Sequence, residues 1–299
     1  MSKLVECVPN FSEGRRPEVI NAITDEVKKV AGVTLLDVKA DADHNRVVVT
    51  FVGEPQACKQ AAFKACAKAA ELIDMRTHTG AHPRIGATDV IPFIPVKGVT
   101  MEECVTLAKE LGQEIAEKLD IPVYLYEAAA TRPDRVKLPD VRKGQYEGLI
   151  EDIKKPERHP DFGRPEMNLK AGATVVGARQ FLIAFNINLD TPDLKIAKKI
   201  ANVIREAKGG YRYCRAMGVM LEARQQTQVS INMVDYTGTP LFRVFETVKS
   251  EAARYGVNVV GSEIIGLTPL QALLDVADFY LRLEGFERKQ VFEENLEGF

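Results

Sequence analysis

Excess charge of either sign, long apolar runs and paired cysteines are all missing from this chain of 299 residues. Lys and Arg number 40 against 42 Asp and Glu, so a formal charge of −2 gives no general pull towards nucleic acid or an anionic membrane. No apolar stretch approaches the length of a membrane-crossing helix. The start, Met1-Ser2-Lys3-Leu4-Val5-Glu6-Cys7, lacks the apolar centre of a signal peptide. The 5 cysteines are an odd number without CxxC spacing, which leaves zinc without support and fits reduced thiols in a cytoplasmic chain. Cys58, Cys66 and Cys104 fall on apolar helix faces, where cysteine acts as a small hydrophobe. There is no Walker loop, no GxGxxG after a strand and no GxSxG elbow.

What is present is an ordinary globular composition, 45% hydrophobic and 27% charged, in a length that suits one large domain or two smaller ones. Apolar periodicity alternates between strand and helix spacing. Strands are expected at 4–9, 33–38, 46–53, 90–96 and 121–126, with helices at 17–31 and 54–74. Pro92 and Pro95 place the 90–96 strand at an edge or make it irregular. Thr100 and Glu103 form a capping box for a further helix. From Glu127 to about Lys170 the periodicity fails, and only short helical turns are expected. So long an aperiodic stretch in a compact protein is usually functional or a linker.

The pattern resumes with strands at 180–188, 213–222, 228–236 and 257–260. Thr191-Pro192, Thr239-Pro240 and Thr268-Pro269 open the intervening and final helices. Each half thus reads strand–helix–strand–strand–helix–strand. The expected fold is α/β (α+β), with two ferredoxin-like βαββαβ subdomains, residues 1–178 and 179–299, facing across a ligand cleft.

Histidine is the side chain that ordinarily titrates nearest neutrality, and only His44, His78, His82 and His159 are available. His82 lies in Gly80-Ala81-His82-Pro83-Arg84-Ile85-Gly86, where glycines let backbone approach a ligand and Arg84 can grip a carboxylate with two bonds. The same spacing also fits a plain polar loop with Arg84 and Asp89 as a structural pair. His78 and His82 would suggest metal only on a helix, which Gly80 and Pro83 oppose. His44-Asn45-Arg46 and Asn10-Phe11-Ser12-Glu13-Gly14 are further polar loops at strand ends. Each also fits an ordinary turn, although Asn45 and Arg46 have ligand-binding chemistry.

Longer motifs run through nearly the whole chain. They include Val5-Glu6-Cys7-Val8-Pro9-Asn10-Phe11-Ser12-Glu13-Gly14, Asn45-Arg46, His82-Pro83-Arg84, Pro92-Phe93-Ile94-Pro95-Val96 and Pro122-Val123-Tyr124-Leu125-Tyr126. Asp161-Phe162-Gly163, Gly172-Ala173-Thr174, Ala184-Phe185-Asn186-Ile187-Asn188 and Val260-Gly261-Ser262 follow. In these motifs the chain resembles the formiminotransferase family. The resemblance implies two α/β subdomains enclosing a folate channel, usually in a homodimer, with His82 as the catalytic residue. It also implies folate contact by Gly163, Arg164, Pro165, Glu166, Met167, Asn168, Leu169, Lys170, Ala171 and Gly172. In animal members a cyclodeaminase domain follows. The chain ends at Phe299, so a stand-alone transferase is expected, with any cyclodeaminase on a separate polypeptide.

The implied reaction moves a formimino group from N-formiminoglutamate to tetrahydrofolate, a co-substrate, without metal. Both ligands carry carboxylates, and the residues matched to them are Arg46 and Arg84, with Asn10 and Asn45 as neutral hydrogen-bonding groups. Asp37, Asp41 and Asp43 are positioned as candidate carboxylates to orient His82. The alternatives are formyl transfer from N-formylglutamate and a non-catalytic folate-binding or scaffolding protein.

Overall fold

β-Branched alternation in Arg46–Gly53 builds the strand at the heart of the first sheet. The computed structural model of the chain describes residues 3–295 and divides into two compact units after Arg179. Residues 1–2 and 296–299 of the expected domain ranges lie outside the described residues.

In the first unit β1 (Leu4–Cys7) and β2 (Asn10–Phe11) run end to end. Antiparallel β4 (Arg46–Gly53) lies on one side of them and β5 (Thr88–Lys97) on the other. β3 (Val33–Asp41) flanks β4, while β7 (Thr174–Ala178) and then β6 (Val123–Glu127) continue in parallel beyond β5. Helices α1 (Pro17–Lys28), α2 (Pro55–Leu72) and α3 (Met101–Leu119) pack on the sheet over Val47, Val49, Phe51 and Phe93. Alanine and cysteine line the buried side of α2 (Cys58, Ala61, Ala62, Ala65, Cys66 and Ala69), so this helix lies close to its neighbours. Phe51 is fully buried, and the burial contributes about 1.5–3 kcal/mol. The capping box of Thr100 and Glu103 opens α3.

Two expectations change here. β5 is central rather than at an edge, and it shows the irregularity that its prolines also allowed, as register shifts against β1 and β2. Pro92 pairs with Gly177 of β7 but lies opposite the break between β1 and β2. Pro95 pairs with Val5 at a register shift of β1 but lies past the last β7 partner, Phe93. Each proline thus has a regular ladder on one side at most. Thr174–Ala178 is a strand that the periodicity did not signal: it is buried throughout, so polar–apolar alternation is lost. The aperiodic stretch holds only short helices, among them α4 (Leu138–Val141) and α5 (Gln145–Asp152).

The second unit holds β8 (Ile183–Leu189), α6 (Leu194–Ile204), β9 (Cys214–Leu221), β10 (Gln226–Met233), α7 (Leu241–Ala253), β11 (Val259–Ile265) and α8 (Leu270–Leu281). Its antiparallel sheet runs β11-β8-β10-β9. That is the ferredoxin-like order, and the lateral order β3-β4-β1/β2-β5 repeats it in the first unit. The cap of α6 is Asp193, which accepts from Lys195 N, rather than Thr191.

Candidate active site

Three loops meet at one end of the first sheet, and Asn45 ties them together. Its backbone is left-handed (φ 48°), a conformation asparagine tolerates better than most residues. Its Oδ1 accepts from Gly14 N at 2.9 Å and its Nδ2 donates to the Thr79 carbonyl at 2.9 Å. The 10–14 loop is further fixed where Ser12 N and Oγ donate to the carbonyls of Ala87 and Gly86. Gly80 must lack a side chain, because a Cβ would sit 2.4 Å from the His44 carbonyl oxygen. Asn10 is half-buried in β2, and its side chain donates to the Val8 carbonyl at 2.9 Å.

His82 is half-buried in this frame. Its Nε2 receives a hydrogen bond from Arg46 Nη1. A guanidinium can only donate, so the ring is the neutral tautomer with its proton on Nδ1. Burial, the charges of Arg46 and Arg142, and His44 push its pKa down to about 3. The near-neutral titration expected of a free histidine is therefore displaced downward, first by burial of the ring and then by its positive surroundings. Arg46 is itself driven below the ordinary arginine range by burial and by Arg142.

Arg142 is the residue that sequence reasoning missed. It follows α4 in the aperiodic stretch, and its Nη2 donates to Asp89 Oδ2. The Asp89 side chain is only 2% exposed, and its Oδ1 accepts from Ile85 N at 3.0 Å. The functional expectation for that stretch was the only available signal. Nothing local singled out this arginine.

Arg84 is buried, and its guanidinium is occupied by protein. Nη1 and Nη2 form a two-bond pair with Glu147 (2.9 and 2.6 Å), Nε donates to His78 Nδ1, and further bonds reach Gln145 and the His78 carbonyl. Its partner is thus Glu147 and not Asp89. Of the other histidines, His78 joins Arg84 to the Asn45 carbonyl, and burial lowers its pKa. His44 binds Asp41 at 2.8 Å, with its ring centroid 6.2 Å from that of His82. Asp41 thus orients His44. Among the described residues no group of three or more His, Cys, Asp or Glu is placed to hold a metal ion. All 5 cysteines are buried, and burial pushes the Cys58, Cys104 and Cys214 thiols up to about 12, which makes them poor nucleophiles.

The 163–172 segment has two parts. Ala171 and Gly172 are buried against the His82 loop: Ala87 N donates to the Ala171 carbonyl at 2.7 Å and Ala173 N to that of Ile85 at 3.0 Å. Gly163, Arg164, Pro165 and Glu166 are exposed near the end of α3, where Arg164 pairs with Asp120. Gly163, Arg164 and Glu166, with Met167 and Asn168, line a cavity of about 100 Å³. Asn168 Oδ1 accepts from Lys170 N and Ala171 N, Lys170 Nζ donates to the Glu71 carbonyl, and Leu169 is half-exposed.

In the second unit, the Asn186–Asn188 motif contributes to a polar network on the sheet. Gln228 donates to Asn188 Oδ1 and Glu263 Oε1, both at 2.9 Å, and Asn186 donates to the same Glu263 oxygen.

Comparison with known proteins gives the family of the chain. Residues 4–179 match the family model described as formiminotransferase domain, N-terminal subdomain, and residues 184–296 match the formiminotransferase domain. A glutamate formimidoyltransferase of Streptococcus pyogenes is 52% identical over 299 residues, covering 100% of both chains. One from Thermoplasma acidophilum is 50% identical, covering 98% of this chain and 97% of its own. A formimidoyltransferase-cyclodeaminase of Rattus norvegicus is 49% identical over 94% of this chain and 53% of its own length. Two family models that together span nearly the whole chain, and full-length relatives at half identity, establish that the chain belongs to the formiminotransferase family.

Proposed function

We propose that this transferase moves the formimino group of N-formimino-L-glutamate to N5 of tetrahydrofolate, giving 5-formiminotetrahydrofolate and L-glutamate, a step of histidine degradation. The observation that carries the reading is a neutral imidazole, His82, set beside two guanidinium groups in a polar loop cluster. N5 attacks the formimino carbon and a tetrahedral intermediate forms. His82 takes the proton that N5 loses and delivers it to the glutamate nitrogen as the C–N bond breaks. Such positioned acid–base catalysis contributes about 10²–10⁴-fold. Holding two substrates together contributes through effective molarity.

Arg46 is the proposed carboxylate partner. Asn45 and Arg84, whose polar groups are engaged within the protein, are assigned to shaping the loops. Asn10 remains the neutral candidate, and the 163–172 segment the proposed folate contact. A homodimer is the proposed assembly, and the buried thiols favour a reducing, cytoplasmic setting.

The test is glutamate release by purified protein with tetrahydrofolate, given formiminoglutamate or formylglutamate at equal concentration. Folate-dependent release from formiminoglutamate that disappears in His82→Asn is expected. Preference for formylglutamate would change the donor, and silence with both donors would refute the transferase reaction.

A further inference from the structure

The nitrogen that must accept a proton in the proposed reaction is the one Arg46 occupies. Nε2 of His82 accepts from Arg46 Nη1, so its lone pair is unavailable to a substrate amine. The charges facing this pair come from four places. Arg46 belongs to β4, Arg142 follows α4, Asp89 belongs to β5, and Asp41 ends β3 with His44 in the turn that follows it. Asp89 is bound to Arg142, and Asp41 is bound to His44. Among the described residues neither carboxylate makes a hydrogen bond to Arg46, whose guanidinium bonds to the His82 ring. Arg142 also keeps a buried Nε without a hydrogen-bond partner. A half-buried guanidinium bound only to a neutral ring, beside a second with an unused donor, is built to receive an anion.

We propose that Arg46 caps His82 and that a carboxylate of the glutamyl substrate, gripped by Arg46 and Arg142 together, draws the cap away and frees Nε2 to act as the base. A carboxylate is the stronger acceptor, because charge-assisted hydrogen bonds are roughly twice as strong as neutral ones. Its negative charge also offsets the two cations that keep His82 from taking a proton. The base is thereby exposed when the donor is seated. Arg142 is a positioning residue in this scheme and touches the carboxylate, not the reacting carbon. The inference rests on the proposed reaction only for the identity of the carboxylate.

The test follows His82 itself. Imidazole resonances of the ¹⁵N-labelled full chain are titrated with pH, with and without saturating L-glutamate. The expected result is a rise of about one to three pH units in the His82 midpoint when glutamate binds, with loss of the Arg46-bonded Nε2 signal. Arg46→Gln should begin at the raised midpoint and show no further change, and Arg142→Met should weaken glutamate binding by about tenfold or more. An unmoved His82 midpoint in the wild-type chain, with glutamate bound or unable to bind, overturns the inference. So does an Arg46→Gln midpoint equal to the wild type. Turnover with an unmoved His82 sinks this inference alone. Absence of transfer from either donor, with the glutamate-driven rise intact, sinks only the reaction.

Discussion

Asp89→Asn removes one charge at the root of the site and almost nothing else. Asparagine keeps the shape and can still accept from Ile85 N with its oxygen. Its amide then faces Arg142, donor against donor, where Oδ2 had accepted. Side-chain exposures of 13% for Arg142 and 2% for Asp89 mean that the guanidinium is left largely buried without its counter-charge. Breaking a buried pair from one side costs about 3–5 kcal/mol. With a urea dependence of about 2 kcal/mol per molar, the unfolding midpoint of the first unit should fall by about 1.5–2.5 M. Circular dichroism during urea unfolding measures it. Adding Arg142→Met removes the stranded charge, so the double variant should recover most of the lost stability but not the lost turnover. A midpoint change below about 0.5 M, or a double variant less stable than the single, would refute the account of this pair.

Asn45→Ala should cost about 2–4 kcal/mol, since it strands Gly14 N and the Thr79 carbonyl and forces alanine into a left-handed backbone; a midpoint within error of wild type in urea would contradict the stapling role. Arg84→Met should lower kcat and thermal stability while leaving both Michaelis constants nearly unchanged. A raised Michaelis constant for one substrate with kcat intact would instead return Arg84 to carboxylate binding. The histidines set a pH dependence. His82, held down to about 3, and His78, also lowered, stay neutral in the fold while the unfolded chain takes up protons below about 6.5. Their contribution to stability is therefore complete above about pH 6.5 and declines as pH falls, down to about 3 for His82. Urea midpoints at several pH values should show this decline, shallower in His82→Asn; equal slopes would contradict it.

Much of the secondary structure was legible from local signals, because strand and helix periods and the Thr100–Glu103 cap act over a few residues. His82 stood out for the same reason, as a histidine between glycines and a proline in a loop. β7 did not, since a strand buried on both faces loses its alternation. The partner of Arg84 also lay beyond local reach: Glu147 is 63 residues away, and Arg142 is 53 residues from Asp89. Such pairs depend on which loops the sheet brings to one end, and no local pattern records that. The low basicity of His82 belongs to the same class. Residue type fixed an imidazole that titrates near neutrality in water. Only the folded chain, by burying the ring and setting Arg46 and Arg142 beside it, decided that it is held neutral and capped.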